Sequence, residues 1–165
     1  MIDNNLLVTL NERCDVVLSS SSVAAVPSLC WGMAGRVLDD GRTVEAWVRE
    51  DQARQFLADV RATGKVAAVF NEPYTNLAVQ LKGDEALIRA ATRDDEAFLR
   101  QHVGHMVTEL TRMNIPEAFT RNFFEQPWSL LSVVRFEAAD VYIQTPGPRA
   151  GQRLEARASG AGHVA

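Results

Sequence analysis

The chain has 165 residues and a net charge of −4, with 47% hydrophobic and 23% charged residues, which is typical of one soluble globular domain. The acidic balance disfavours a nucleic-acid binder, which needs a basic face, and no apolar run approaches the roughly 20 residues of a membrane span. The two cysteines lack metal-site spacing, and the first residues do not resemble a secretion signal. We therefore expect a cytoplasmic protein that binds neither nucleic acid nor membranes.

Three short strands are predicted at the start of the chain. Residues 15–20, 28–38 and 43–48 carry β-branched or alternating apolar side chains, the pattern of an antiparallel sheet. The sequence DDGR between the last two strands is typical of a tight hairpin turn. The three strands are therefore expected to lie close together.

A helix and a second hairpin follow. Apolar residues recur at helical spacing over residues 53–60, and Gly64 stands where a left-handed cap commonly ends a helix. Residues 66–83, VAAVFNEPYTNLAVQLKG, read as two strands around a proline-containing turn, with the second strand extending towards residue 91. Side chains alternate along a strand, so Gln80 and Lys82 share one face of the second strand. This polar face either is solvated or holds a ligand.

Two helices and two strands complete the predicted elements. Thr92 and Asp95 resemble a capping box before a long helix, and Pro116 suits the first turn of another helix that ends near residue 124. Strands are expected over residues 130–136 and 140–145. Short antiparallel strands with few helices indicate a mainly β (α+β) barrel with helices packed on its outside.

The long helix also carries a candidate metal site. His102, His105 and Glu109 fall at i, i+3 and i+7, so their side chains could converge on one ion. A helical wheel places all three on the flank of the apolar stripe, where polar side chains usually face water. No further ligand is evident, so we do not expect a metal site.

The order of elements resembles the pyridoxamine 5′-phosphate oxidase-like family of FMN-binding split barrels. The resemblance rests on residues 35–83, GRVLDDGRTVEAWVREDQARQFLADVRATGKVAAVFNEPYTNLAVQLKG, and on residues 141–151, VYIQTPGPRAG. It implies a six- to seven-stranded antiparallel split β-barrel domain over residues 1–150. The Gly-, Ala- and Arg-rich residues 151–165 are expected to form a mobile tail.

The resemblance implies FMN as the cofactor, with its phosphate at the junction of the third strand and the first helix. Free backbone N–H groups and the helix dipole both favour an anion at such a junction. The candidate contacts are Arg49, Gln52 and Arg54. The chain departs from the family there, because a lysine is missing and Glu50 and Asp51 place negative charge beside the expected phosphate.

The resemblance also gives a role to the polar face of the second hairpin. The equivalent strand in relatives runs beneath the flavin ring, so Gln80 and Lys82 would meet its polar edge, and Ala67, Ala68 and Ala78 would leave space for it. A cation at this edge stabilises the reduced, anionic flavin. Arg36, which begins Arg-Val-Leu, resembles an arginine that contacts FMN in the oxidases.

The implied function is that of a homodimeric flavin-dependent oxidoreductase acting on an unidentified small molecule. The oxidase itself is not expected, because no arginine-rich stretch that could bind a substrate phosphate follows Asp140 at the matching place. Two alternatives stay open. One is a barrel of this family that binds haem or a deazaflavin, and the other is a non-catalytic binding or stress-related module without a cofactor.

Overall fold

The computed structural model describes residues 2–154, which form one curled sheet of eight antiparallel strands and four α-helices. The strands are β1 (Asp15–Ser21), β2 (Pro27–Val37), β3 (Thr43–Arg49), β4 (Val66–Asn71), β5 (Ala78–Gly83), β6 (Leu87–Ala90), β7 (Leu131–Glu137) and β8 (Asp140–Ile143). The helices are α1 (Asn4–Arg13), α2 (Arg54–Thr63), α3 (Glu96–Thr111) and α4 (Glu117–Phe124).

The strand order is β6-β7-β3-β2-β1-β4-β5-β8, and every neighbouring pair is antiparallel. The sheet curls until the end of β5 meets the end of β7, where the carbonyl of Lys82 accepts a hydrogen bond of 2.8 Å from the N–H of Ala139. Gly83 is required at this contact, since a Cβ there would lie 2.6 Å from the carbonyl oxygen of Glu137. The result is a half-barrel with an inner and an outer surface.

The inner surface holds the main core. Alternate residues of five strands point inward and are buried, among them Val16, Leu18, Val44, Ala46, Ala68, Phe70, Leu81 and Phe136. Helix α2 adds Phe56 to this core, and its buried Asp59 accepts a hydrogen bond of 2.6 Å from the hydroxyl of Ser28 on β2. Helix α1 adds Leu10. Packing against α1 and α2 therefore supplies the apolar contacts that a curled sheet needs.

The outer surface divides into two halves. Helix α3 covers β3, β7 and the second half of β2, where Met33, Trp47, Val133 and Leu99 form a separate buried cluster. On the other half, most outward side chains stay partly or fully exposed within the described chain, although Ala78 at the start of β5 is buried. We name this half the open face and define it by Val17, Ser19, Leu29, Trp31, Ala67, Val69, Gln80, Lys82 and Tyr142.

Most predicted elements are confirmed to within one or two residues, and two are new. Strand β6 is a separate strand paired with β7, not the predicted extension of β5, because the chain turns away after Gly83. The strand count is therefore eight, where six to seven were expected. Helix α1 was not predicted, although Asp3 caps it by accepting a 2.8 Å hydrogen bond from the N–H of Leu6.

The first residues of the expected tail return to the sheet. The N–H of Gly151 donates to the carbonyl of Ile143 at 2.7 Å, and the N–H of Leu154 donates to that of Val141 at 2.8 Å. These bonds place residues 151–154 against the edge strand β8. The other part of the expected tail, residues 155–165, lies outside the described residues.

Candidate functional site

The junction of β3 and α2 brings together three of the predicted cofactor-binding residues, Arg49, Gln52 and Arg54. The chain leaves β3 in a tight turn, in which the N–H groups of Gln52 and Ala53 donate to the carbonyl of Arg49 at 3.2 and 2.9 Å. Helix α2 then begins at Arg54, and no side chain caps its first N–H groups. Uncapped N–H groups at a helix start are suitable donors for an anion.

The two acidic residues at this junction have partners of their own. Asp51 binds Arg49 through two bonds, with Nε–Oδ1 at 3.0 Å and Nη2–Oδ2 at 2.6 Å. This pairing lowers the pKa of the Asp51 carboxyl and raises the pKa of Arg49. Glu50 accepts a 2.6 Å hydrogen bond from the hydroxyl of Ser132. Arg49 is therefore committed to Asp51, and Arg54 is the cation of this turn that remains available.

An open groove of about 530 Å³ runs beside α2 from this junction. One wall is formed by Arg54, Leu57 and Arg61 of the helix, and the other by Glu50, Asp51, Ser129 and Leu130. In the described part of the chain, no carboxylate forms an ion pair with Arg54 or Arg61. The groove therefore combines two unpaired guanidinium groups with apolar surface.

Gln80 and Lys82 lie on the open face, as the alternation along β5 predicts. Gln80 Oε1 accepts a hydrogen bond of 3.2 Å from Gln144, and the ammonium of Lys82 lies 4.9 Å from the centre of the Tyr142 ring. Ala67 shares this face, but Ala68 is fully buried in the inner core, so its predicted place beneath a flavin ring is wrong. The outward surface thus combines the small Ala67 on β4 with the polar Gln80 and Lys82 on β5.

Arg36 lies apart from both groups of candidates. Its Nε and Nη2 donate to Glu45 Oε2 at 2.9 and 2.5 Å, and its guanidinium lies 4.7 Å from the centre of the Phe98 ring beneath α3. Glu45 is buried and also accepts a 3.2 Å bond from Arg135. Arg36 therefore neutralises a buried carboxylate between the sheet and α3.

The junction and the open face belong to different strands. Strands β3 and β5 stand four steps apart in the sheet order. At about 4.8 Å per step this corresponds to a path of roughly 19 Å along the sheet. Because the sheet curls and brings the end of β5 to β7, which pairs with β3, this path is longer than the direct separation of the two strands.

The helical-wheel prediction for the histidine cluster is wrong. His102 is only 1% exposed and lies between Phe98 and Phe124, because α4 packs against α3 on that side. Burial lowers the pKa of His102 to about 4, with a smaller contribution from the nearby His105. Glu109 is buried too and pairs with Arg13 and Arg112 at 3.3 and 2.8 Å. Both side chains are parts of the helix interface, not of a solvated flank.

None of the helices within residues 2–154 is long and apolar enough to span a membrane. No cluster of three or more histidine, cysteine, aspartate or glutamate side chains in the same range has the geometry of a metal site.

Comparison with solved structures identifies the fold. HupZ of Group A Streptococcus superposes with a TM-score of 0.56 at 17% identity, covering 92% of this chain and 100% of that one. A conserved hypothetical protein of Mycobacterium tuberculosis superposes with a TM-score of 0.51 at 15% identity, covering 87% of this chain and 84% of that one. A provisionally named pyridoxamine 5′-phosphate oxidase of Lactobacillus delbrueckii gives 0.50 at 14% identity, covering 82% and 89%. No protein-family model and no curated protein sequence matches the chain.

These similarities confirm the predicted fold. The chain has the split-barrel fold of the pyridoxamine 5′-phosphate oxidase-like proteins, with eight strands and four helices in residues 2–154. At identities of 14–17%, the likeness concerns the fold alone.

Proposed function

We propose that the protein is an FMN-binding homodimer that acts as a flavin-dependent oxidoreductase on a small molecule. The observation that carries the proposal is the open face, an exposed outer surface of the sheet with apolar residues at one side and polar residues at the other. Leu29 is 68% and Trp31 47% exposed there. An apolar surface of this kind on a sheet needs a covering partner, and a second copy provides one.

The register of the open face suits a planar ring. One row across the strands runs Trp31, Val17, Val69, Gln80 and Tyr142, and the next runs Leu29, Ser19, Ala67 and Lys82. Small side chains at the centre of the second row leave a shallow surface. Amide and ammonium groups at its end are the donors that a flavin's carbonyl oxygens and ring nitrogens require.

The α2 junction suits the phosphate of the same cofactor. The uncapped N–H groups of the helix and the guanidinium of Arg54, which forms no ion pair within residues 2–154, both favour an anion, and the nearest carboxylates have partners. The junction and the open face lie on strands four steps apart along the sheet, which is a reason to propose that the FMN site is completed by two chains. Gln52, exposed in the same turn, would contribute an amide donor.

Bound FMN would supply hydride transfer, and the chain's residues would bind and tune it. The ammonium of Lys82 would favour the anionic reduced ring by its charge. Gln80, held in place by Gln144, would orient the ring's polar edge through its remaining amide donors. Val17 and Val69 would exclude water from one side of the ring.

Titration with FMN and with riboflavin tests the proposal. We expect Arg54→Ala to weaken FMN binding roughly ten- to a hundredfold, because a charge-assisted bond to phosphate contributes about 1.5–3 kcal/mol, and to leave riboflavin unaffected. Lys82→Ala should weaken both flavins alike. Arg93→Ala, at an exposed arginine before α3, is the matched control and should change neither.

Three results of this titration would contradict the proposal. Equal losses of FMN and riboflavin in Arg54→Ala would remove the phosphate assignment. Wild-type behaviour of Lys82→Ala would leave the open face without a role in binding. Binding of haem or a deazaflavin in place of FMN, or of no cofactor, would favour one of the alternative functions.

A further inference from the structure

The groove beside α2 contains a second arginine besides the one proposed to contact a phosphate. Arg54, Leu57 and Arg61 fall at i, i+3 and i+7, so they share one face of the helix and line the same groove. Arg54 and Arg61 are about 10.5 Å apart along the helix axis, since each of seven residues adds about 1.5 Å. Neither guanidinium pairs with a carboxylate of the described chain.

The other charged groups in the groove do not cancel the charge of these two arginines. Asp51 is held by the two bonds to Arg49, so that pair contributes no net charge. Glu50, the other acidic residue of the groove, accepts a hydrogen bond from Ser132 on β7. Arg54, Arg61 and Glu50 together therefore leave one net positive charge in the groove.

The surface between the two arginines is partly apolar. Leu57 lies between them on the helix but is only 3% exposed, and Leu130, half exposed, lies on the opposite wall with Ser129. A ligand that places anions at both arginines thus passes the apolar side chain of Leu130, with one hydroxyl within the lining. The volume of about 530 Å³ is large enough for such a molecule.

We propose that this groove binds an elongated ligand with two anionic groups about 10 Å apart, joined by an apolar segment. The groove itself does not depend on flavin binding. If the proposed function holds, the Arg54 end takes the flavin phosphate, and the Arg61 end takes a second anionic group. That group belongs either to an extension of the cofactor beyond its phosphate or to a separate ligand.

Flavin-free probes test the groove directly. Titration calorimetry of the full chain with hexane-1,6-diol bisphosphate and with hexyl phosphate compares two anions with one. We expect the bisphosphate to bind about tenfold more tightly or better. Arg54→Gln and Arg61→Gln should each weaken it roughly three- to tenfold, since these are charge-assisted contacts at exposed side chains. Glu50→Gln should tighten binding, because it removes the opposing charge and keeps an acceptor for Ser132.

The control is Arg93→Gln, which removes an exposed arginine outside the groove and should leave binding unchanged. Equal affinity for the bisphosphate and the monophosphate would overturn the proposal. So would wild-type affinity in Arg61→Gln, or an equal loss in Arg93→Gln, which indicates a general charge effect. Both groove arginines are exposed, so far-UV circular dichroism should show the folded state in every variant.

A second titration separates the two sources of the second anion. If it belongs to an extension of the cofactor, the 5-carboxypentyl phosphodiester of FMN, which places a carboxylate about 10 Å from the phosphate, binds more tightly than FMN, and Arg61→Gln removes the difference. If it belongs to a separate ligand, FMN and this ester bind equally while the bisphosphate response persists. Retained bisphosphate binding without any flavin binding would contradict the proposed function and leave the groove assignment intact.

Discussion

The two halves of the sheet's outer surface differ in side-chain exposure more than in the composition of their strands. Trp47 and Val133 are fully buried where α3 packs on β3 and β7, whereas Trp31 and Leu29 on the first half of β2 are 47% and 68% exposed. Both halves carry alternating apolar residues on twisted antiparallel strands. The difference shows that α3, and not strand composition, decides which half is sealed within the chain.

Polar groups divide in the same way. On the covered half, Arg36 and Arg135 share the buried Glu45, and Arg89 pairs with Asp95. On the open face, Lys82 contacts the ring of Tyr142, and Gln80 accepts a hydrogen bond from the amide of Gln144. Charges beneath α3 are thus used for folding, while the open face keeps donors that a ligand or a partner can use.

The largest expected difference is in the unfolding free energy lost when each of two tryptophans is replaced. Trp47→Ala removes a buried ring that packs 4.7 Å from Phe98 and should cost about 3–5 kcal/mol of unfolding free energy. Trp31→Ala removes a half-exposed ring in edge contact with Phe123 and should cost about 1 kcal/mol or less in the isolated chain. Urea unfolding at several protein concentrations measures both. Equal losses in dilute protein would show that the open face is already sealed within one chain.

Acid titration tests whether the packing of α4 against α3 buries His102. Its pKa in the folded chain is lowered to about 4, so between roughly pH 6.5 and pH 4 the unfolded chain binds a proton that the folded chain refuses, and stability falls. Between pH 7.5 and pH 4.5, we expect the free energy of unfolding to fall by about 2 kcal/mol less in His102→Phe than in wild type. Chemical unfolding at both pH values gives this difference.

The comparison with the variant is necessary because another group titrates oppositely. Burial raises the pKa of Asp15 to about 6, so its protonation stabilises the folded chain as the pH falls through the same range. The net slope of wild type is therefore small, and only the difference reports on His102. Identical pH dependence in wild type and His102→Phe would mean that α4 does not bury this side chain.

A smaller effect is expected at the start of α3. Thr92 and Asp95 form a capping box before this helix: the Thr92 side chain accepts a bond from the backbone N–H of Asp95, and the N–H of Thr92 donates to the Asp95 carboxylate at 2.8 Å. Thr92→Ala should cost about 1 kcal/mol and increase hydrogen exchange of the covered half, while Thr111→Ala at the other end of α3 serves as the control. Exchange that rises equally on the open face would contradict a local role for the cap.

Local patterns predicted the strands, hairpins and most helix limits, because alternation, turn residues and caps act within a few residues. Strand β6 and the burial of His102 were missed because both depend on contacts between distant segments. The pairing of Arg36 with Glu45, by contrast, could have been predicted from the sequence. The turn at residues 39–42 sets a register that places these opposite charges directly across the hairpin.

The candidate site was predictable only in part. Alternation placed Gln80 and Lys82 together, and the strand-to-helix junction placed Arg54 at the start of α2. The commitment of Arg49 to Asp51 was not evident, since it depends on the shape of the turn. Arg61 was missed altogether, because only the packing of residues 129–130 beside α2 turns that helix face into a groove.

Light scattering tests most directly whether the open face binds a second copy. Wild type at micromolar concentration should have the mass of a dimer, and Leu29→Lys should have the mass of a folded monomer with weaker FMN binding. Val8→Lys, at a residue 52% exposed on α1, should stay dimeric. A monomeric wild type, or a dimeric Leu29→Lys variant, would contradict the assignment of the open face as the surface that joins two chains around a flavin.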